Sequence, residues 1–229
     1  MMLSPRAKRD SWGRCVWTKT HLEFAKCECY IRSVNEIGTP IRDVDHLRDA
    51  LALLGALLAA EGETARIAVV GGSAMLLDGL IARATRDVDV VALVEGDELV
   101  GVSEFSAGLD RYVSAVALEL GLAPHWLSFG PASLLDAGLP TGFLRRCRAE
   151  TFGALTVFIA DRYDLIHMKL YAATEHGPTS KHMADLEAMK PSPQELEDAR
   201  RWCMEHDVSD AFANELDSAI AWVDGRRDG

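Results

Sequence analysis

The first clear hydrophobic pattern in the chain has helical spacing. Leucines recur three or four positions apart, at Leu47, Leu51, Leu54, Leu57 and Leu58. This spacing places apolar side chains on one face of a helix. We therefore predict an amphipathic helix that begins at Val44 and ends near Glu61-Gly62.

Two short segments then show the patterns of strands. The first, residues 66–70, is rich in β-branched residues and stops at Gly71-Gly72, after which helical spacing resumes at Ser73. The second, residues 86–93, begins with alternating acidic and apolar positions and then becomes wholly apolar. Together they predict a strand, a tight turn, a helix and a second strand with one polar end.

Beyond the second strand, the patterning changes from mixed to helical. Helical spacing over residues 109–120 is followed by a loop-rich stretch around residues 130–140, and residues 155–159 predict a further strand. Only helical patterns come after it. One of those helices begins with a capping box, Ser192-Pro193-Gln194-Glu195, that has proline at the first helical position.

These patterns predict an α/β (α+β) fold, in which a small mixed-sheet core precedes a helical C-terminal half. We predict three segments along the chain. Residues 1–37 lack clear periodicity and form an N-terminal extension, residues 38–160 form the core, and residues 161–229 form a helical region that completes the site.

Composition and charge narrow the class of protein. No apolar run reaches the roughly 20 residues that span a bilayer, and no secretory signal follows the basic N-terminal residues, so we expect a cytoplasmic protein that does not bind membranes. The net charge of −11 argues against a protein that coats nucleic acid by neutralising phosphates. The basic cluster at residues 145–148 is typical of a solvated turn or an edge strand.

Asp87 and Asp89 are the first candidates for chemistry. Alternation along a strand places both carboxylates on one face, with roughly 6 to 7 Å between their alpha carbons. Two like charges on an otherwise apolar strand are costly unless a cation compensates them, and hard oxygen ligands suit Mg²⁺. The pair predicts a magnesium site, and two solvated acids at an exposed strand end are the alternative.

The turn Gly71-Gly72-Ser73 is the second candidate. It lies between a strand and a helix, where free backbone amides and the helix dipole favour a phosphate group. It matches neither a P-loop, which ends in Gly-Lys-Ser/Thr, nor the dinucleotide fingerprint G-x-G-x-x-G. The turn therefore predicts a different kind of phosphate site, and a plain strand-to-helix turn is the alternative.

The order of these features resembles the DNA polymerase beta-like nucleotidyltransferase superfamily. The resemblance rests on the strand, the Gly-Gly-Ser turn, a helix, and then Arg83-Ala84-Thr85-Arg86-Asp87-Val88-Asp89-Val90. Two later segments, residues 164–170 and 181–186, also carry it. Within the superfamily, residues 41–223 are most similar to the AbiEii-related minimal nucleotidyltransferases, which include toxins of bacterial toxin–antitoxin systems.

The resemblance implies roles for eight residues. It implies that the nucleoside triphosphate binds at Gly71, Gly72, Ser73 and Arg83, and that the catalytic residues are Asp87, Asp89, Lys169 and Asp185. Within the catalytic set, the first two hold Mg²⁺, the lysine contacts phosphate, and the last acid completes the site. The family's third metal-binding carboxylate is missing from the strand at residues 155–159, and Asp161 just beyond it is the candidate.

Several of these residues have structural alternatives. Arg83 and Thr85 could orient phosphate or cap the strand entry, and Arg83 could instead pair with Asp78 or Asp87. Lys169 shares an apolar helix face and could extend its ammonium group to the surface. Asp185 lies three residues after a histidine, His182, and the two could form a hydrogen-bonded pair.

By this resemblance, the chain transfers a nucleoside monophosphate from a nucleoside triphosphate to a hydroxyl group of an RNA, such as tRNA, or of a protein. The reaction requires Mg²⁺, and a toxin-like enzyme of this kind has a separately encoded antitoxin as a partner. Two other interpretations stay open. One is a nucleotide-binding or interaction module whose site has decayed, and the other is a small-molecule nucleotidyltransferase of the aminoglycoside-modifying kind, which would suit the acidic composition.

Overall fold

A computed structural model describes residues 38–101 and 106–226, so the predicted extension over residues 1–37 lies outside the described residues. In chain order, the described elements are α1 Val44–Ala60, β1 Ala65–Val70, α2 Gly71–Leu77, β2 Val88–Glu95, β3 Glu98–Val100, α3 Ala107–Leu120, β4 Leu127–Ser128, a 3-10 turn Gly130–Ala132, α4 Ser133–Ala137, α5 Phe143–Arg146, β5 Arg148–Phe152, β6 Leu155–Ile159, α6 Arg162–His176, α7 Lys181–Met189, α8 Pro193–His206 and α9 Asp210–Asp224.

The six strands found among the described residues form one mixed sheet. Its order is β3-β2-β1-β6-β5, and the two-residue strand β4 pairs with β2 beside β3. Strand β1 is antiparallel to β2 and parallel to β6, and the β5–β6 pair is an antiparallel hairpin. The predicted α/β class with a helical C-terminal half is confirmed.

Helix α1 covers the sheet with the face that its leucines predict. Four of the five leucines are buried, and the fifth, Leu57, packs at the edge of the core. At Gly55 the helix comes so close to the β5–β6 hairpin that an added Cβ would lie 1.6 Å from the carbonyl oxygen of Phe152. Glycine at this position therefore allows the helix to lie directly on the hairpin.

The stretch between α3 and β6 contains more regular structure than its loop-like sequence predicts. It holds β4, the 3-10 turn, two helices of four or five residues, and the edge strand β5. These elements are too short to show a hydrophobic period, and the two strands among them form by pairing, β4 with β2 and β5 with β6. Strand β5 begins at Arg148, so the basic cluster spans the end of α5 and the start of an edge strand.

Helices α6 to α9 form the C-terminal half. Helix α6 packs against α7, α8 and α9, and it also contacts α2, which follows the glycine turn. The capping box predicted for α8 is present, with reciprocal hydrogen bonds between Ser192 and Glu195 at 3.3 and 2.8 Å. Among the described helices, none combines the length and the apolar character needed to cross a bilayer.

Candidate active site

The glycine turn and the second acidic residue are in direct contact. Strand pairing places Val70, the last residue of β1, opposite Asp89 in β2. The next residue, Gly71, has φ of +70°, and a Cβ there would lie 2.1 Å from Oδ2 of Asp89. Any other residue at this position would displace the carboxylate.

Asp87 and Asp89 share one face of the sheet. Val88 between them is fully buried, whereas both acids are half-buried, as alternation along a strand predicts. Thr85 supports this arrangement, because its hydroxyl donates a hydrogen bond to the carbonyl oxygen of Asp87 at 3.2 Å. Its own backbone pairs with Ile41 in both directions, at 3.0 and 2.8 Å. The segment that leads into β2 is thus held at two points.

Gly72 is the point where the glycine turn meets the Arg83–Thr85 segment. A Cβ at Gly72 would lie 2.9 Å from the hydroxyl oxygen of Thr85 and 3.7 Å from Nη2 of Arg83. The turn itself is the first turn of α2, which begins at Gly71 and not at Ser73 as the spacing predicts. Ser73 is fully buried, and its hydroxyl donates to the carbonyl oxygen of Val70 at 3.1 Å, so the side chain closes the turn.

Three of the predicted site residues form one ion-paired cluster. The ammonium group of Lys169 donates to Oδ2 of Asp185 at 2.7 Å. Arg83 donates to the same carboxylate through Nε at 2.9 Å and through Nη2 at 2.6 Å to each oxygen. Lys169 and Asp185 are only 6% and 1% exposed, but the side chain of Arg83 is 42% exposed. The cluster therefore has a buried base and an accessible cationic tip.

The electrostatics of Asp185 follow from these contacts. Burial pushes the pKa of its carboxyl group upward, but Lys169 and Arg83 outweigh that effect and hold the pKa below its usual value. Asp185 is therefore a carboxylate at neutral pH. Arg83 pairs with Asp185 and not with Asp78, which instead pairs with Arg148 at 2.6 Å.

The basic cluster at residues 145–148 lies against acids. Arg146 pairs with the fully buried Asp164 at 2.5 Å, and Arg148 pairs with Asp78 and Glu150 at 2.6 and 2.8 Å. The burial of Asp164 raises the pKa of its carboxyl group against the opposing effect of Arg146. Arg146 and Arg148 are therefore engaged in ion pairs, and Arg148 lies at the start of the edge strand β5.

Comparison with protein families identifies the chain more closely. The model of a family described as "Nucleotidyltransferase of unknown function (DUF6036)" matches residues 45–189. The chain belongs to this family. A search of curated proteins and a search of solved structures found no match. The matched segment runs from α1 to the end of α7, and it contains all eight predicted site residues.

Asp87 immediately precedes β2 and Asp89 lies within it, and the candidate for a third metal-binding carboxylate beside them is Asp161. Within residues 38–101 and 106–226, no three side chains among His, Cys, Asp and Glu are grouped so that they could hold a metal ion. Asp161 lies after β6, which β1 separates from β2. Its carboxylate caps α6 by accepting a hydrogen bond from the backbone of Tyr163 at 2.8 Å.

His182 does not form the pair with Asp185 that its spacing allows. Its buried Nδ1 has no hydrogen-bond partner, and its ring lies 5.0 Å from that of His176, measured between centroids. Burial, followed by the positive charges of Lys169 and Lys181, lowers the pKa of His182 to about 3. The histidine is therefore neutral at physiological pH.

Ser128 lies beside the acids, but no pattern in the sequence predicts it as a site residue. Strand β4 is only two residues long, and it places Ser128 directly opposite Asp89. The surrounding residues have the glycine and proline content of a loop, so no periodicity marks the strand. Only the pairing in the sheet brings this serine to the site.

Proposed function

We propose that the chain is a magnesium-dependent nucleotidyltransferase that transfers a nucleoside monophosphate from a nucleoside triphosphate to a hydroxyl group of an RNA, such as tRNA, or of a protein. Its membership of a nucleotidyltransferase family supports the reaction type. The observation that carries the proposal is the contact between Gly71 and the Asp89 carboxylate, because it joins a phosphate-binding turn to an acidic pair.

Asp87 and Asp89 would hold the magnesium ion. Magnesium sites that handle nucleotides commonly use one or two carboxylates and take their other ligands from phosphate and water, so a pair of half-buried acids on one sheet face fits this ion. When bound, the ion supplies charge stabilisation at the reacting phosphate.

The triphosphate would bind along the glycine turn. Helix α2 has only seven residues, so its dipole is small, and the proposal relies on local contacts instead. Because Gly71 has no side chain, the turn packs directly against Asp89, so a phosphate group bound at the turn would lie beside the acidic pair. The exposed tip of Arg83, next to Gly72, supplies a positive charge at the same place.

Lys169 and Asp185 would act together. The carboxylate holds both Lys169 and Arg83, so it sets the position of the cation that reaches the phosphates. The ammonium group of Lys169 is buried, so in this arrangement its role is to complete the base of the cluster. Contact of Lys169 with phosphate would require its ammonium group to move from Asp185.

In the proposed reaction, the acceptor hydroxyl loses its proton to water, and its oxygen forms a bond to the alpha-phosphorus. The bond from that phosphorus to the bridging oxygen breaks, and pyrophosphate leaves. The glycine turn and Arg83 orient the triphosphate for this displacement, because fixed geometry lowers the barrier without new chemistry. Asp89 lies opposite Val70, the last residue of β1, so the acidic pair is next to the glycine turn that follows Val70.

The family resemblance of the acidic motif supports a toxin-like role with an antitoxin partner. The net charge of −11 and the acid-paired arginines at residues 145–148 do not favour broad binding to nucleic acid. An RNA acceptor would therefore bind at the site itself, through its reacting end. Co-expression with the neighbouring gene tests the toxin role, since an antitoxin restores growth that the chain alone arrests.

The activity is tested by incubating the full chain with Mg²⁺ and each alpha-labelled nucleoside triphosphate, together with tRNA or cell extract. Asp87→Ala and Asp89→Ala serve as controls, and a gamma-labelled nucleotide distinguishes nucleotidyl transfer from phosphoryl transfer. Label that moves from the alpha position with wild type and with neither variant supports the proposal. Magnesium-dependent nucleotide binding without transfer would identify a decayed binding module, and transfer to amino sugars would identify a small-molecule enzyme.

A further inference from the structure

A third polar side chain lies on the sheet face of the two acids. Strand β4 runs parallel to β2, with Leu127 opposite Val88 and Ser128 opposite Asp89. Residues paired across neighbouring strands have their side chains on the same face, and the strands are about 4.8 Å apart. Ser128 is therefore the nearest neighbour of Asp89 on the side away from Gly71.

The burial of the four paired residues agrees with this assignment. Leu127 and Val88 are at most 2% exposed and face the core, whereas Ser128 and Asp89 are both half-buried. In each strand a buried apolar residue is followed by a half-buried polar one, and successive side chains point to opposite faces of the sheet. The hydroxyl group of Ser128 therefore shares the face of the carboxylates.

Strand β4 is held firmly at this place. The backbone N–H of Val88 donates to the carbonyl oxygen of Trp126 at 2.6 Å. The indole of Trp126 is fully buried, and its Nε1 donates to the carbonyl oxygen of Val113 in α3 at 3.0 Å. Ser128 follows two residues later, so its position relative to Asp89 depends on the core and not on a loose loop.

We propose that the Ser128 hydroxyl is a neutral third oxygen ligand for the cation that Asp87 and Asp89 bind. This inference rests on the metal site of the proposed function. A hydroxyl oxygen has acceptor lone pairs and no charge, so it adds a ligand without adding a third negative charge. The charges of the divalent cation and the two carboxylates then cancel, so the site does not repel an incoming triphosphate.

This set of ligands determines when the cation binds relative to the nucleotide. Affinity for a hard cation rises with the number of charged ligands, so two carboxylates and one hydroxyl bind it weakly in the absence of nucleotide. The cation would therefore bind together with the triphosphate, which supplies further oxygen ligands. A carboxylate at position 128 would convert the site to one that retains the cation alone.

The test measures cation binding directly, without nucleotide or turnover. Mn²⁺ prefers the same oxygen ligands as Mg²⁺, and its electron paramagnetic resonance signal reports the free ion during a titration of the full chain. We expect Ser128→Asp to tighten Mn²⁺ binding about tenfold or more, and Ser128→Ala to weaken it severalfold. Ser133→Asp is the matched control, because Ser133 is exposed and begins α4, where an acid is tolerated.

The outcomes separate this inference from the proposed function. If Asp89→Ala abolishes Mn²⁺ binding while both Ser128 variants bind like wild type, the inference is overturned and the proposed metal site stands. Equal tightening by Ser133→Asp would also overturn it, because the effect would then be long-range charge. If neither wild type nor Ser128→Asp binds Mn²⁺ better than Asp89→Ala, the metal site and the inference both fail. Ser128→Ala decides the question alone if Ser128→Asp does not fold.

Discussion

The site consists of two halves with opposite electrostatic character. In the sheet half, Asp87 and Asp89 lie half-buried on one strand face. In the helical half, Lys169 and Asp185 are almost fully buried, and they form an ion pair that also includes Arg83. The sheet half gathers two like charges, whereas the helical half brings opposite charges together.

This difference separates two kinds of contribution. The two acids of the sheet half are half-buried, so a ligand can contact them from solvent. A buried ion pair with several hydrogen bonds is already satisfied, and it fixes the groups that compose it. We therefore expect the sheet half to govern the chemical step, and the helical half to govern stability and the position of Arg83.

The largest effect is expected for Asp89→Asn. Loss of a metal ligand removes several kcal/mol of charge stabilisation, which corresponds to a decrease in transfer rate of about 10³-fold. The unfolding free energy should fall far less than in a variant of the buried Lys169–Asp185 pair, because Asp89 is only half-buried. Single-turnover kinetics and urea denaturation measure the two quantities. A large loss of stability in this variant would contradict the assignment of the sheet half.

A second change should affect stability before chemistry. Asp185→Asn leaves the ammonium group of Lys169 buried without a carboxylate, and removal of one partner from a buried pair costs about 3 kcal/mol. Lys169→Met is the matched comparison, because Asp185 then keeps its contacts with Arg83. We expect urea denaturation to show a clearly smaller loss for Lys169→Met. Equal losses in the two variants would mean that Arg83 does not compensate the carboxylate.

The contact between the glycine turn and Asp89 gives a third prediction. Gly71→Ala places a Cβ 2.1 Å from Oδ2 of Asp89, so the carboxylate must move. A displacement of about 1 Å at a reacting centre costs about 10²-fold in rate. Gly79→Ala is the control, because Gly79 has φ of +68° and nothing within 4 Å of an added Cβ. Both variants should lose about 1–2 kcal/mol of unfolding free energy through backbone strain, but only Gly71→Ala should lose activity.

Much of this architecture could be predicted because the residues concerned lie on long periodic elements. The leucines of α1 and the alternation at Asp87 and Asp89 identify a helix and a strand from spacing alone, since one face of each is buried. The capping box at the start of α8 is equally local, because its hydrogen bonds join residues three positions apart. Such features depend on residues that are close together in the sequence, so the sequence alone identifies them.

The rest depends on contacts between distant segments. The partner of Arg83 is Asp185, 102 positions later, and no local pattern distinguishes it from the nearer acid Asp78. Strand β4 exists only through its pairing with β2, so Ser128 carries no sequence signal of its own. The start of α2 at Gly71 also differs from its apolar spacing, because two glycines add no hydrophobic positions to the first turn.

The smallest effect concerns pH and the helical half. Burial, with Lys169 and Lys181, lowers the pKa of His182 to about 3, whereas an unfolded histidine has a pKa of about 6.5. Between these two pKa values, His182 is protonated in the unfolded chain but not in the folded protein, so the unfolding free energy falls as pH decreases. From pH 7 to pH 5, this histidine should contribute a loss of about 1–2 kcal/mol.

His182→Gln isolates that contribution from those of other groups. The variant should lose less stability than wild type between pH 7 and pH 5, and His125→Gln, at an exposed position, is the control for the substitution itself. Urea denaturation at each pH gives the comparison. A smaller pH dependence in His182→Gln would show that burial, together with the nearby positive charges of Lys169 and Lys181, keeps His182 unprotonated in the folded protein. Parallel curves for all three proteins would instead mean that His182 takes up its proton in the folded state as readily as in the unfolded chain.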